Sequence, residues 1–215
     1  MTNQTEEEQV ERIKELWRQH GMPLLTGVVL ALAGVFGWNA WTDYKETQSA
    51  NASALYQTML ESVLGQDPDN VESRTRAAEL AQRLRDEYPD SRYSRYAALM
   101  QARLAVEAQD FATAERLLNE VVDNAEDEAL KEVARQRLAR VLGQQERAEE
   151  ALALFDSEVS GQLLAGREEI RGDLLLGLGR TEEAREAYLS ALRAIPDRQA
   201  RPQLQLKIDD LAEEV

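Results

Sequence analysis

One run of the chain, Gly21 to Thr42, contains no charged side chain, and Arg18 and Asp43 bound it. As a helix rising about 1.5 Å per residue it would reach roughly 30 Å, the hydrocarbon thickness of a bilayer. A helix of that length in a soluble domain keeps a polar face, whereas here only Thr26 and Asn39 interrupt the apolar residues between Gly21 and Trp41. A cleavable signal peptide would offer Ala31-Leu32-Ala33 for processing, but the glutamate-rich leader is a poor n-region and the apolar run continues past that point. The sequence therefore predicts one transmembrane helix over residues 21–42, and no other stretch repeats it.

The flanks give the helix a direction. Trp17 precedes it, and Trp38, Trp41 and Tyr44 close its far end, so amphipathic rings mark both membrane interfaces. Arg12, Lys14 and Arg18 stand on the N-terminal side against Lys45 alone beyond the span. The positive-inside rule places the N-terminus in the cytoplasm, and Glu6, Glu7, Glu8, Glu11 and Glu15 do not reverse it, because the rule counts Lys and Arg. The large C-terminal part is expected outside.

Beyond the span the chain is made for helices. Ala, Leu, Glu, Arg and Gln dominate, and there are only five prolines and 6% aromatic residues. The net charge of −15 would repel nucleic acid and anionic headgroups, so neither is expected as a ligand of the soluble part. With no cysteine the chain has no disulfide, zinc-thiolate site or thiol nucleophile. The single histidine, His20, abuts the membrane, and the glycines at 34 and 37, or 177 and 179, do not form a phosphate-binding loop. The pairs Glu149-Glu150 and Glu182-Glu183 are neighbours on a helix and point apart, so they read as a solvated face rather than an acid and a base. No enzyme, metal or cofactor is expected.

Helices are expected at short intervals. Val10, Ile13 and Trp17 share one face of an amphipathic helix leading into the membrane. Ala52, Leu55, Tyr56, Met59, Leu60 and Val63 recur at helical spacing before Gly65, and Asp67-Pro68-Asp69-Asn70 makes a turn. The next helix runs to Tyr88 and stops at Pro89, after which Ser91 can cap a third that holds Tyr96, Met100 and Leu104. Turns near Asp110, Asp127, Gln144, Gly161 and Gly179 divide the rest.

These turns are periodic. Glu146 to Ala151 and Gly179 to Ala184 share the pattern x-Arg-x-Glu-Glu-Ala at a separation of 33 residues, with Phe155 and Tyr188 each four residues after the alanine. Asp110 to Ala114 fits the same frame with Leu118 as the larger residue, and Ala77 with Pro89 makes a degenerate copy. This resembles the tetratricopeptide repeat, a pair of antiparallel helices of about 34 residues. Gly172, Ala184, Tyr188, Ala191 and Pro196 supply its small, aromatic and closing positions in the last copy, and Ala102 and Ala139 take the small position in the two before it. Glu126 and Leu163 stand where proline would close those two. Leu204, Ile208 and Leu211, after Pro202, suit a capping helix for the open end of the array. The expected architecture is all-α: a cytoplasmic tail over 1–20, the membrane helix, a connecting helix and degenerate first pair over 43–90, three helix pairs over 91–197, and a cap over 198–215.

In stacked helix pairs the first helix of each lines a concave groove. Arg103 and Arg140 occupy equivalent places there, with Tyr96, Gln136, Glu169 and Asp173 nearby, and two arginines could hold a peptide carboxylate through charge-assisted hydrogen bonds. In the span, Gly27, Ala31 and Gly34 form a smooth strip against which another membrane helix could pack.

The order of parts is similar to that of the YfgM-like ancillary subunits of the bacterial SecYEG translocon. The likeness runs through nearly the whole chain: the charged tail, the span ending Gly37-Trp38-Asn39-Ala40-Trp41, the helix end Leu84-Arg85-Asp86-Glu87-Tyr88-Pro89-Asp90-Ser91, and Gly172-Asp173-Leu174-Leu175. The resemblance implies a single-pass bacterial inner-membrane protein with a periplasmic repeat domain that associates with SecYEG and the chaperone PpiD, and through them with unfolded exported polypeptides. For some members it also implies an envelope-stress role in which the cytoplasmic tail acts on a response regulator. The sequence thus points to a non-enzymatic scaffold of protein export, with signalling through the tail as the alternative.

Overall fold

Segments rich in Ala, Leu, Glu, Arg and Gln, several of them opened by a capping residue, dictate a chain of helices. The computed structural model describes residues 3–64, 70–195 and 201–213, and every regular element among them is an α-helix. These are α1 (Asn3–Leu64), α2 (Val71–Glu87), α3 (Arg92–Glu107), α4 (Phe111–Asn124), α5 (Glu128–Gln144), α6 (Ala148–Leu152), α7 (Gly161–Gly177), α8 (Thr181–Ala194) and α9 (Pro202–Glu213). Gly65 to Asp69 and Pro196, which the sequence assigns to a turn and to the closing proline, lie outside the described residues. So do the side chains of Val10, Ile13 and His20.

The chain divides into two compact units, Met1–Asn51 and Ala52–Val215, with the boundary inside α1. In place of a tail helix, a membrane helix and a connecting helix, α1 is one uninterrupted element. Nothing between Asn3 and Leu64 breaks it, and Pro23 is accommodated within it. In the first unit, large apolar side chains such as Leu30 and Phe36 are 67% and 68% exposed, a surface that water does not solvate well and lipid does. Thr26 and Thr42 return their hydroxyls to the carbonyls of Met22 and Trp38 at 2.8 and 2.9 Å, so their polarity is satisfied within the helix. Among the described residues α1 alone is long and apolar enough to cross a membrane.

In the second unit the helix starts follow local chemistry. Asn70, Ser91, Asp110 and Asp127 each accept a hydrogen bond from a backbone N–H in the first turn of α2, α3, α4 and α5. The turns inside successive helix pairs are copies of one another. Gln109, Glu146 and Gly179 adopt left-handed backbone (φ 60°, 61° and 74°). The next N–H in each case reaches back five residues, Asp110 to Ala105, Arg147 to Leu142 and Arg180 to Leu175. In the x-Arg-x-Glu-Glu-Ala motifs, Arg147 pairs with Glu150 at 2.7 Å and Arg180 with Glu183 at 2.5 Å. Arg147 also reaches back to Glu115 on α4 at 2.7 Å, and Arg180 to Glu149 at 3.6 Å, so the motif arginines tie consecutive pairs together, while Glu149, Glu150, Glu182 and Glu183 are all exposed.

Small residues set the helix spacing. Ala77, Ala114, Ala139, Ala151 and Ala184 are fully buried and Ala102 nearly so, which brings backbones close and leaves Leu117, Leu118, Leu138 and Ile170 to fill the gaps. The C-terminal part of α1 joins this core, with Ala52 and Met59 packed against Ala81, Leu84 and Ala97. At the other end Leu204, Ile208 and Leu211 of α9 cover Leu175, Ala187 and Tyr188.

The middle pair departs from the repeat. Its second helix, α6, has five residues, and Phe155, expected on that helix, lies beyond its end. The freed backbone turns to Arg167 on α7, whose guanidinium donates to the carbonyls of Phe155 and Ser157 and lies 5.3 Å from the Phe155 ring. Arg167 also holds Glu132 of α5 through Nε at 2.9 Å and through a second contact from Nη2. Glu132 and Arg167 are 2% and 4% exposed, so this ion pair is buried between α5 and α7, and its arginine also holds the backbone that follows the short α6.

Candidate interaction groove

A groove of the expected kind would be built from α3, α5 and α7, the first helices of the three pairs, because stacking of such pairs presents these on the concave side. The steps of 37 and 33 residues that relate the repeats make Arg103, Arg140 and Asp173 equivalent, and likewise Leu99, Gln136 and Glu169. Their surroundings differ by repeat.

On α3, Tyr96, Met100 and Arg103 follow one another at helical spacing on one face. Tyr96 is half-buried and belongs to a cluster of three rings. Its centroid lies 5.7 Å from Tyr56 of α1 and 6.3 Å from Tyr93, and Tyr56 and Tyr93 are 5.4 Å apart. Partial burial, then the neighbouring Tyr96 and Tyr93, raise the Tyr56 pKa above the ordinary tyrosine value. Arg103 is exposed and pairs with Glu107 one turn on, at 2.8 Å.

On α5, Arg140 is exposed and stands one turn from Arg137, a residue that repeat phase alone does not single out. The Arg137 guanidinium lies below the usual arginine range, through desolvation first and then through the positive charges of Arg140 and Arg103. Arg137 and Arg140 stand exposed one turn apart on α5, Arg103 is the counterpart of Arg140 on the preceding first helix, and among the described residues neither Arg137 nor Arg140 has a carboxylate partner. Gln136 is placed otherwise than a groove contact requires. It is 8% exposed, and its amide nitrogen donates to Glu132 Oε1 at 2.9 Å and to the Leu163 carbonyl at 2.8 Å, while its carbonyl end fills the space beside Gly166. Those interactions use Gln136 to join α5 to α7.

On α7, Glu169 and Asp173 are already held. Arg201 reaches Glu169 at 2.8 Å, and Lys207 of α9 bridges Glu169 and Asp173 at 3.2 and 2.6 Å. Asp173 also accepts the Tyr188 hydroxyl at 2.8 Å. The third repeat thus spends its groove carboxylates on the capping segment, and the free charge of the first helices is positive and concentrated on the first two. Among the described residues no group of three His, Cys, Asp or Glu side chains could hold a metal ion.

The other surface belongs to the first unit. Trp17, Trp38, Trp41 and Tyr44 are at least half exposed, the rings of Trp38 and Trp41 lie 5.5 Å apart with their planes tilted by 48°, and Lys45 Nζ lies 4.1 Å over the Trp41 ring. A Cβ added at Gly27 or Gly34 would meet nothing within 4 Å, so the strip these glycines form with Ala31 is open.

Residues 14–213 match the family model of the tetratricopeptide repeat-like domain. No solved structure matches the chain. The chain is 30% identical to the ancillary SecYEG translocon subunit of Neisseria gonorrhoeae, a match covering 96% of this chain and 97% of that protein. It is 27% identical to the subunit so described from Escherichia coli, over 97% and 98% of the two chains. For the Haemophilus influenzae protein of that description the identity is 28%, over 86% and 88%. From its apolar first helix to its capping helix, the chain belongs to the family of ancillary SecYEG translocon subunits with a tetratricopeptide repeat-like domain.

Proposed function

We propose that this protein is a non-enzymatic scaffold held in the bacterial inner membrane by α1, which associates with the SecYEG translocon and presents its repeats on the periplasmic side to the chaperone PpiD and to emerging exported chains. The observation that carries the reading is the end-to-end likeness to translocon subunits, which takes in the apolar helix as well as the repeats. The excess of Arg12, Lys14 and Arg18 over Lys45 supports an N-terminus in the cytoplasm. An array of helix pairs with an exposed first-helix face suits protein contacts, which need area rather than a reactive group.

Affinity purification from detergent-solubilised membranes tests the association. SecY and PpiD should be recovered with the tagged full chain and lost with a chain lacking residues 2–42, and an eluate of the full chain without SecY refutes the assignment. Deleting only residues 2–18 separates scaffolding from action through the tail, because the scaffold keeps its partners. Since the chain has no cysteine, single cysteines report topology directly. Val215→Cys should react with a membrane-impermeant maleimide on intact spheroplasts, and Thr2→Cys only after lysis.

A further inference from the structure

The arginine patch and the tyrosine cluster occur in one unit and share α3. Tyr96 and Arg103 are seven residues apart on the same face, which is about 10 Å along a helix, or about three residues of an extended peptide. The chain carries 40 acidic against 25 basic residues, and several arginines outside the patch are answered by carboxylates, among them Arg147, Arg167, Arg171, Arg180 and Arg201. In the patch only Arg103 has one, and that bond to Glu107 is half exposed. Two cations beside a third, on the face that stacked helix pairs offer to ligands, leave positive charge uncompensated in an otherwise acidic domain.

We propose that Arg103, Arg137 and Arg140, with Tyr56, Tyr93 and Tyr96, form a binding site for an extended acidic segment of a partner protein. Its Glu or Asp pair lies on the arginines, and an aromatic or large aliphatic side chain about three residues away lies on the tyrosines. The proposal rests on the scaffold reading and names the kind of segment its groove takes. Guanidinium groups bind carboxylates in planar, charge-assisted pairs, which selects acidic residues over amides. The three rings form an apolar surface already packed against one another, so little ordering accompanies binding. An anion at the patch would also relieve the mutual repulsion that Arg137 experiences from Arg140 and Arg103.

The test uses the full chain in detergent and a fluorescein-labelled, C-terminally amidated peptide with a tryptophan three residues before a Glu-Glu pair in a Gly-Ser background. Anisotropy should show saturable binding that weakens about tenfold or more when Gln-Gln replaces Glu-Glu, and equally in Arg137→Glu plus Arg140→Glu, with a marked loss at raised salt. Tyr96→Ala should abolish the preference for tryptophan over alanine in the peptide. The Arg137→Gln plus Arg140→Gln variant serves if charge reversal lowers the helical circular dichroism. Equal affinity for the Glu-Glu and Gln-Gln peptides, or wild-type affinity in the double variant, overturns the proposal. Displacement by phosphatidylglycerol vesicles but not by unlabelled peptide overturns it in favour of lipid. A double variant that loses the peptide and keeps SecY supports the site, whereas failure of the wild type to recover SecY counts against the scaffold reading alone.

Discussion

A Cβ added to Gly172 of α7 would fall well inside van der Waals contact with the ring of Tyr188 on α8, whose Cδ1, Cε1 and Cζ lie directly over that position. Tyr188 is 1% exposed. Its pKa is raised by burial, then by its hydrogen bond to Asp173 and by the charges of Asp173 and Glu169, so it stays a proton donor to Asp173. Gly172→Ala must displace a ring that has no free side to move toward, and it should destabilise the repeat unit by about 1–3 kcal/mol. Urea unfolding of the wild type and variant measures this. Adding Tyr188→Leu should cost less on the Gly172→Ala background than on the wild type, because the two residues compete for one space. Strict additivity would show that the contact does not limit the packing.

Glu146 holds left-handed backbone at the place where the next repeat has Gly179. A side chain with a Cβ pays roughly 1–2 kcal/mol for that conformation, and glycine pays almost nothing. Glu146→Gly is therefore expected to raise stability by about 1 kcal/mol, since the residue is exposed and none of the described salt bridges includes it. Gly179→Ala should do the reverse. Parallel thermal melts of the two variants provide the check, and a stabilising Gly179→Ala would contradict the assignment of strain.

Removing one member of the buried pair of Glu132 and Arg167 should have a larger effect. Arg167→Met takes away the donors that hold Glu132 and leaves its carboxylate inside the array with only the Gln136 amide and a more distant Arg135, 3.8 Å away. Losing one partner of such a pair costs about 3–5 kcal/mol. Arg167→Met with Glu132→Leu should recover much of that loss, because both desolvated charges are then gone. The single variant should also loosen residues 153–160, whose carbonyls at Phe155 and Ser157 lose their donor, and hydrogen exchange at those amides reads the loosening directly.

These residues differ in how far the sequence exposed them. The helix starts at Ser91, Asp110 and Asp127 were legible because capping is decided by the residue and its next three neighbours. Gly172 with Tyr188 was legible because the repeat fixes the positions that must be small and large. Glu132 and Arg167 lie 35 residues apart, and the pattern around Ala151 and Phe155 resembles that of a full second helix, so neither the short α6 nor the ion pair it accommodates had a local signal. The groove was half legible. Repeat phase aligned Arg103 with Arg140, but only the fold shows that Arg137 stands exposed one turn from Arg140 and without a carboxylate partner among the described residues, that Gln136 turns inward, and that α9 and Arg201 take up Glu169 and Asp173.

In the first unit, Gly27, Ala31 and Gly34 occupy one strip of α1, and added Cβ atoms at the two glycines meet nothing, so larger residues there carry no packing cost within the protein itself. In a bilayer such a strip lets a second helix approach closely, and attraction between the backbones rises steeply with that approach. Gly27→Leu and Gly34→Leu should therefore reduce recovery of SecY with the tagged chain while leaving the melting of the 52–215 unit unchanged, since that unit has its own core. Leu is the apt substitution because it keeps the span apolar and helical and changes only its contour. Full recovery of SecY with both variants would move the contact off this strip, to another face of α1 or to the repeats.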